Sequence, residues 1–157
     1  MNDPVKVMVV VQVEAPPQEV YRYWTEPDLY EQWMGRNVRL DPTPGGEYFV
    51  EMNDGFAASG RFAVLDPGRR VEFSWGWAPG AGKAVLTGQQ PDDLLPPGST
   101  RVVVTLEPTD AGTTLRLDHL DLADQTLRDN HLLAWETYLD RLVIVATGGD
   151  AGPDPHS

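Results

Sequence analysis

Residues 124–149 read DQTLRDNHLLAWETYLDRLVIVATGG, and this stretch decides the architecture. At about 100° per residue, Leu127, His131, Leu132, Ala134, Trp135, Tyr138, Leu139, Leu142, Val143 and Ala146 fall on one arc, and Asp129, Asn130, Glu136, Thr137, Asp140 and Arg141 on the other. The pattern predicts one long amphipathic helix from about Asp124 to Thr147. Gly148-Gly149 ends it, because glycine accepts the left-handed conformation that closes a helix C-terminus. Arg128 is the one charge expected on the apolar side, near the helix end, where its stem lets the guanidinium reach water. Such a helix needs a second apolar surface to cover its apolar face.

The upstream sequence supplies that surface as strands. From Val5 to Val13 every odd position is valine, a period of two with β-branched residues on one face. Ala15-Pro16-Pro17 stops this strand. Glu19 to Trp24 then has helical spacing, with Val20, Tyr23 and Trp24 on one side, and Thr25-Glu26-Pro27-Asp28 reads as a new cap, Thr25 accepting a backbone N–H ahead of a second short helix toward Leu29, Trp33 and Met34. Turn residues punctuate the middle at Asp41-Pro42, Pro44-Gly45-Gly46, Asn53-Asp54-Gly55, Asp66-Pro67-Gly68 and Asp110-Ala111-Gly112. Between them lie alternating runs: Tyr48, Val50 and Met52; Phe62 and Val64 opposite Arg61; Val71, Phe73, Trp75 and Trp77; Val102, Val104 and Leu106; Leu115, Leu117 and His119.

One-sided strands belong to an antiparallel sheet with one wet face. No helix alternates with the middle strands, so the fold class is α+β: a curved antiparallel sheet around a long C-terminal helix, with two short helices after the first strand and a mainly apolar cavity between the layers. The segment from Ala78 to Pro97 is rich in Gly, Pro and acidic residues and longer than an ordinary loop. It is expected to be mobile or to act as a lid, with a short strand around Ala84 to Thr87. Residues 1–149 are expected to form one domain and residues 150–157 a disordered tail.

Composition narrows the function. The 157 residues include no cysteine, which removes disulfides, thiolate metal sites and thiol nucleophiles and fits a reducing, cytoplasmic setting. A formal charge of −12 repels phosphate backbones and anionic lipid, so nucleic acid is not the expected partner. The N-terminal apolar run is short and strand-like, so neither a signal peptide nor a membrane anchor is expected. Pro79-Gly80-Ala81-Gly82-Lys83-Ala84 lacks the earlier glycine of a phosphate loop, since Trp77 stands there, and no Gly-x-Ser-x-Gly elbow occurs.

The order of elements, together with Ala15-Pro16 and Val20, Trp33, Pro44-Gly45-Gly46, Asp66-Pro67 with Val71-Glu72-Phe73, Gly112-Thr113-Thr114-Leu115 with His119, and His131 with Trp135, Leu139 and Leu142, resembles the activator-of-Hsp90-ATPase homologue family of the START-like superfamily. That superfamily also holds plant allergens, lipid-transfer domains and polyketide cyclases. The resemblance covers the chain up to Gly149 and implies a helix-grip fold, the last helix gripped by the sheet. Two departures stand out: Ala134-Trp135 replaces a Gly-Trp pair common in that helix, and the stretch from Ala78 to Asp93 is longer than in many relatives. Because this frame serves transport, catalysis and protein binding alike, function has to come from the site.

Tyr23, Trp24, Trp33, Tyr48, Trp75, Trp77 and Trp135 offer large apolar faces with polar tips, and Leu117 and Leu139 share their faces; together with His119 and His131 these are the expected ligand-binding residues. His119 shares strand parity with Leu115 and Leu117, and His131 shares the helical arc of Trp135. A histidine on an apolar face is more often a hydrogen-bonded structural residue than a base or ligand. The neighbours of His119 in sequence point the wrong way for a metal, so no metal or cofactor is expected. The leading expectation is a binding module for a small hydrophobic or aromatic molecule. The alternatives are a cyclase, dehydratase or isomerase using His119 or His131, and a chaperone-associated regulator touching a protein partner through its acidic surface.

Overall fold

The computed structural model describes residues 5–53, 56–78 and 96–153. Among these residues the elements run β1 (Val7–Val13), α1 (Pro17–Thr25), α2 (Pro27–Tyr30), β2 (Arg36–Leu40), β3 (Glu47–Asn53), β4 (Phe56–Asp66), β5 (Arg70–Trp75), β6 (Trp77–Ala78), β7 (Thr100–Pro108), β8 (Thr113–Leu120) and α3 (Gln125–Ala146). The sheet is antiparallel throughout, in the order β1-β8-β7-β5-β4-β3-β2, with β6 paired to β4.

Register turns the alternation of each strand into continuous apolar rows. Val7 faces His119, His119 faces Val102, Val102 faces Phe73 and Phe73 faces Phe62, while Val9, Leu117, Val104 and Val71 make the next row. A slip of one residue would turn a whole strand inside out, so these rows fix the pairing. The inner face meets α3, and Trp135, Leu139 and Leu142 are buried between the layers. This is the helix-grip arrangement.

The ends of α3 follow local chemistry. Asp124 Oδ1 accepts the Leu127 N–H at 2.9 Å and caps the first turn. At the other end Gly148 sits at φ +91°, its N–H donating to the Val145 carbonyl and that of Gly149 to the Ile144 carbonyl, the paired bonds of a Schellman closure.

Four details differ from the sequence reading. Thr25 is the last residue of α1 rather than a cap, its hydroxyl donating back to the Tyr21 carbonyl, and Glu26 takes the N-cap position of α2. A bulge between Phe62 and Val64 reverses parity within β4, so Phe62 is buried while Val64 lies opposite Glu72 and is exposed. β2, a short polar edge, was not anticipated, and the alternating run expected through Trp77 breaks after Trp75, so that Trp77–Ala78 pairs with β4 as β6. Arg141, placed on the polar arc, is buried. Its Nε donates to the Trp33 carbonyl at 2.9 Å, and its two Nη atoms donate to the carbonyls of Ala151, Gly152 and Pro153. Those last three residues fall in the segment expected to be disordered; residues 154–157, and the strand expected at 84–87, lie outside the described residues.

The outer face is wet yet ordered by charge. Glu72 lies between Arg70 and Arg101, and Asp118 between Arg116 and Lys6. Glu72, ion-paired by Arg70 and Arg101, and its cross-strand neighbour Val103 are both buried on a face that alternation marks as exposed.

Candidate functional site

The aromatic residues of the sequence reading are brought together, though mostly against one another. Trp24 packs on Trp33 with ring centroids 4.8 Å apart, Tyr30 on Trp33 at 4.7 Å, Tyr48 stacks on Phe73 at 4.2 Å, and Trp75 meets Trp135 at 5.2 Å. These are the offset and edge contacts that ring quadrupoles favour. The hydroxyls of Tyr30 and Tyr48 bond each other inside this cluster, and burial raises both pKa values. Tyr23 donates its hydroxyl to the Val145 carbonyl, and Trp33 donates Nε1–H to the Tyr23 carbonyl. Tyr23, Trp24, Trp33, Tyr48, Leu117 and Leu139 are therefore core residues that join α1 and α2 to α3 and the sheet.

Space remains at one end of the interlayer. Met34, Met52, Trp75, Trp77, His131, Ala134, Trp135 and Tyr138 line a pocket of about 30 Å³, which would hold a water molecule or two. Of the anticipated ligand-binding residues, Trp75, Trp77, His131 and Trp135 reach it, and Met34, Met52, Ala134 and Tyr138 join them. Met52 carried a legible signal, since it alternates with Val50. Met34 reaches the pocket only because the turn after α2 folds back under α3. Larger hollows open elsewhere on the surface, one of them between the start of α1 and the β4–β5 turn, lined by prolines together with Asp66, Arg69, Arg70 and Glu107.

The two histidines have different situations. His119 is fully buried, with both nitrogens engaged. Trp135 Nε1–H donates to Nδ1 at 3.0 Å, and Nε2 lies 2.8 Å from Thr100 Oγ1. The Thr100 hydroxyl spends its proton on the Trp75 carbonyl at 2.7 Å, so it must accept from His119 Nε2–H. This chain of donors fixes the imidazole as the neutral Nε2–H tautomer. Burial, helped by His131 nearby, lowers its pKa to about 3. His119 is thus a saturated strut between β8, β7, β5 and α3, with no valence left for a substrate.

His131 is poised differently. Its Nδ1 lies 2.7 Å from the Leu127 carbonyl, which can only accept, so the proton is on Nδ1 and Nε2 carries a lone pair. That Nε2 is buried without a hydrogen-bond partner, as is the Trp75 Nε1–H on another wall of the same pocket. Burial also lowers the His131 pKa, and the bond to Leu127 opposes this in part. The ring stands 5.1 Å from His119 and 6.2 Å from Trp77. The walls of the pocket are therefore almost wholly apolar, and two of the residues that line it, Trp75 and His131, each carry a buried nitrogen without a hydrogen-bond partner.

This geometry has relatives. The model of a family described as activator of Hsp90 ATPase homolog 1-like protein matches residues 14–147. No curated protein matches the sequence. Among solved structures, the solution structure of an AHSA1-like protein from Rhizobium etli is similar at 32% identity and TM-score 0.71, covering 100% of this chain and 93% of that one. CalU16 from Micromonospora echinospora is similar at 25% identity and TM-score 0.68, covering 96% and 77% of the two chains. DynU16, a protein of the dynemicin biosynthetic locus, is similar at 24% identity and TM-score 0.74, over 97% of this chain but 51% of its own, and at that identity the likeness is one of fold. With a family model spanning both short helices, strands β2 to β8 and α3, the chain belongs to the activator of Hsp90 ATPase homolog 1-like family.

Proposed function

We propose that this protein binds a small hydrophobic or aromatic molecule in the pocket between β5, β6 and α3. The observation that carries this reading is an apolar recess at the end of the interlayer whose lining residues include His131, the Nε2 of which is buried without a hydrogen-bond partner. Leaving such an acceptor unmade costs stability, so folded proteins rarely keep one without a use. At about 30 Å³ the recess is far smaller than a typical ligand site of several hundred Å³, so the ligand has to displace wall side chains. The walls suit that. Met34 and Met52 are unbranched thioethers that repack at low cost, and Trp77 is half-buried on a strand of two residues. An aromatic guest would exchange one set of ring contacts for another. A fold shared with a protein of a biosynthetic locus is compatible with a small-molecule cargo.

The enzyme alternative has less behind it, because His119 is fully engaged and His131, the one histidine lining the pocket, has its pKa lowered by burial. A single buried acceptor orients a ligand more readily than it runs an acid–base pair. The chaperone-associated alternative has the family description behind it and no feature of the pocket. Titration of isotope-labelled protein with 2-methylnaphthalene, followed by NMR, tests the binding reading. Shifts should concentrate on the Met34 and Met52 methyls, the Trp77 indole and the His131 ring. Binding that leaves these signals unmoved, or no binding by any aromatic probe, would refute it.

A further inference from the structure

The sheet begins at β1 and ends at β2, so among the described residues each of these strands has a partner strand on one side only. Such edges invite a further strand, and proteins blunt them with charge, bulges or irregular backbone. β2 has all three: Arg36 and Arg39 are ion-paired to Glu51 and Glu47 of β3, the register shifts between them, and Asn37 sits at φ +47°. β1 has none of them. Its sequence, VMVVVQV, contains no charge, proline or glycine, and its pairing with β8 runs without a bulge.

Which groups face the open side follows from the β7–β8 turn. Gly112 exchanges both backbone bonds with Thr109, so its N–H and C=O point at β7. Because successive residues of a strand alternate in direction, those of Thr113, Leu115, Leu117 and His119 point at β1, where their register partners are Val13, Val11, Val9 and Val7. The N–H and C=O groups of Met8, Val10 and Gln12 are left pointing away from β8. The Lys6 carbonyl points the same way and accepts from Arg128 Nε at 3.1 Å, which caps the start of the strand. Beyond that cap, no backbone hydrogen bond reaches the outward groups of Met8, Val10 or Gln12 among the described residues. Met8 and Val10 are each 49% exposed, and Val9 and Val11, on the side of α3, are only partly buried, so α3 does not seal this edge.

We propose that β1 is a homodimer interface, pairing antiparallel with β1 of a second copy of this chain across a two-fold axis at Val10. The strand is its own complement in that register. Val10 meets its own copy, Met8 meets Gln12 of the partner subunit, and Lys6 meets Glu14 of the partner subunit, so two symmetric opposite-charge pairs flank an apolar centre. Lys6 and Glu14 are both exposed and share the parity of Met8 and Val10. A slip by two residues in either direction shortens the ladder and breaks both charge pairs, which fixes the register. One strand pair is a smaller interface than the roughly 1,600 Å² of a standard complex, so association is concentration-dependent, with a Kd of about 10 to 100 µM.

Sedimentation velocity of the whole chain between about 5 µM and about 500 µM reads the equilibrium, and a dimer should replace the monomer across that range. Val10→Pro deletes an outward N–H while keeping every bond to β8, so the variant should stay folded and remain monomeric. Glu14→Lys sets like charges opposite at Lys6 and should weaken the dimer about tenfold, and adding Lys6→Glu to it should restore the parent affinity to within about threefold. A monomer at every concentration overturns the proposal. So does a dimer that Val10→Pro leaves intact, or a charge reversal at both positions that does not recover what the single change lost. Hydrogen exchange of the parent keeps the test open if a variant does not fold. Raising the concentration should slow the Met8, Val10 and Gln12 amides and leave Val9 and Val11, already bonded to β8, unchanged, whereas a dimer that forms without slowing those three amides places the interface elsewhere and refutes the proposal.

Discussion

Acidification offers a direct trial of the His119 strut. The imidazole is held neutral between Trp135 Nε1–H and Thr100 Oγ1, with its pKa lowered from 6.5 to about 3. In the unfolded chain the same ring protonates near its ordinary value, so below about pH 6.5 the unfolded state binds more protons than the folded state. Stability is therefore full above that pH and declines as pH falls, until the folded ring itself protonates. Each pH unit across this window costs about 1.4 kcal/mol for one such group, which comes to about 2 kcal/mol between pH 7.5 and pH 5. His131, whose pKa is also lowered by burial, acts in the same direction. Urea denaturation of the parent and of His119→Gln at pH 7.5, 6 and 5 measures the effect. The parent should lose at least about 2 kcal/mol, and the variant, starting from lower stability, should lose clearly less across the same range. A parent whose stability is flat from pH 7.5 to 5, or a variant with the parent's full slope, would show that His119 is not held neutral by this network.

Other positions can be read in the same way. Trp135→Ala removes a buried ring from the helix–sheet seam and also leaves His119 Nδ1 without its donor, so a loss of about 3 to 5 kcal/mol is expected in chemical denaturation, and a loss below about 1 kcal/mol would contradict the placement of this residue. Arg141→Ala should cost about 1 to 3 kcal/mol, because the Trp33 carbonyl loses its donor inside the protein while those of Gly152 and Pro153, on exposed residues, can turn to water. Hydrogen exchange in that variant should quicken at residues 151–153 and around Trp33, and unchanged exchange at both places would refute the strap-like role of the guanidinium.

Much of this fold is legible one segment at a time. The valines of β1, the alternation of β5, β7 and β8, the arc of α3, the Asp124 cap and the Gly148-Gly149 stop all report local physics: a strand has two sides, a helix has a stripe, and helix ends need particular partners. Periodicity marks the side on which a residue lies but not what it meets there. His119 and His131 were equal candidates on inward faces, and only the convergence of Thr100 from β7, the Trp75 carbonyl from β5 and Trp135 from α3 made one a saturated strut and left the other with an unpaired nitrogen. Arg141 lies on the polar arc of an isolated helix. The return of the chain after α3, presenting three carbonyls in succession, buries it. The β4 bulge likewise reverses parity at Val64 by an insertion that no alternation rule locates. The size of the pocket lay furthest from the sequence. It is the small remainder left when many large rings pack together, and such a remainder depends on how Trp24, Trp33, Tyr48, Phe73, Trp75 and Trp135 tilt against each other rather than on their presence.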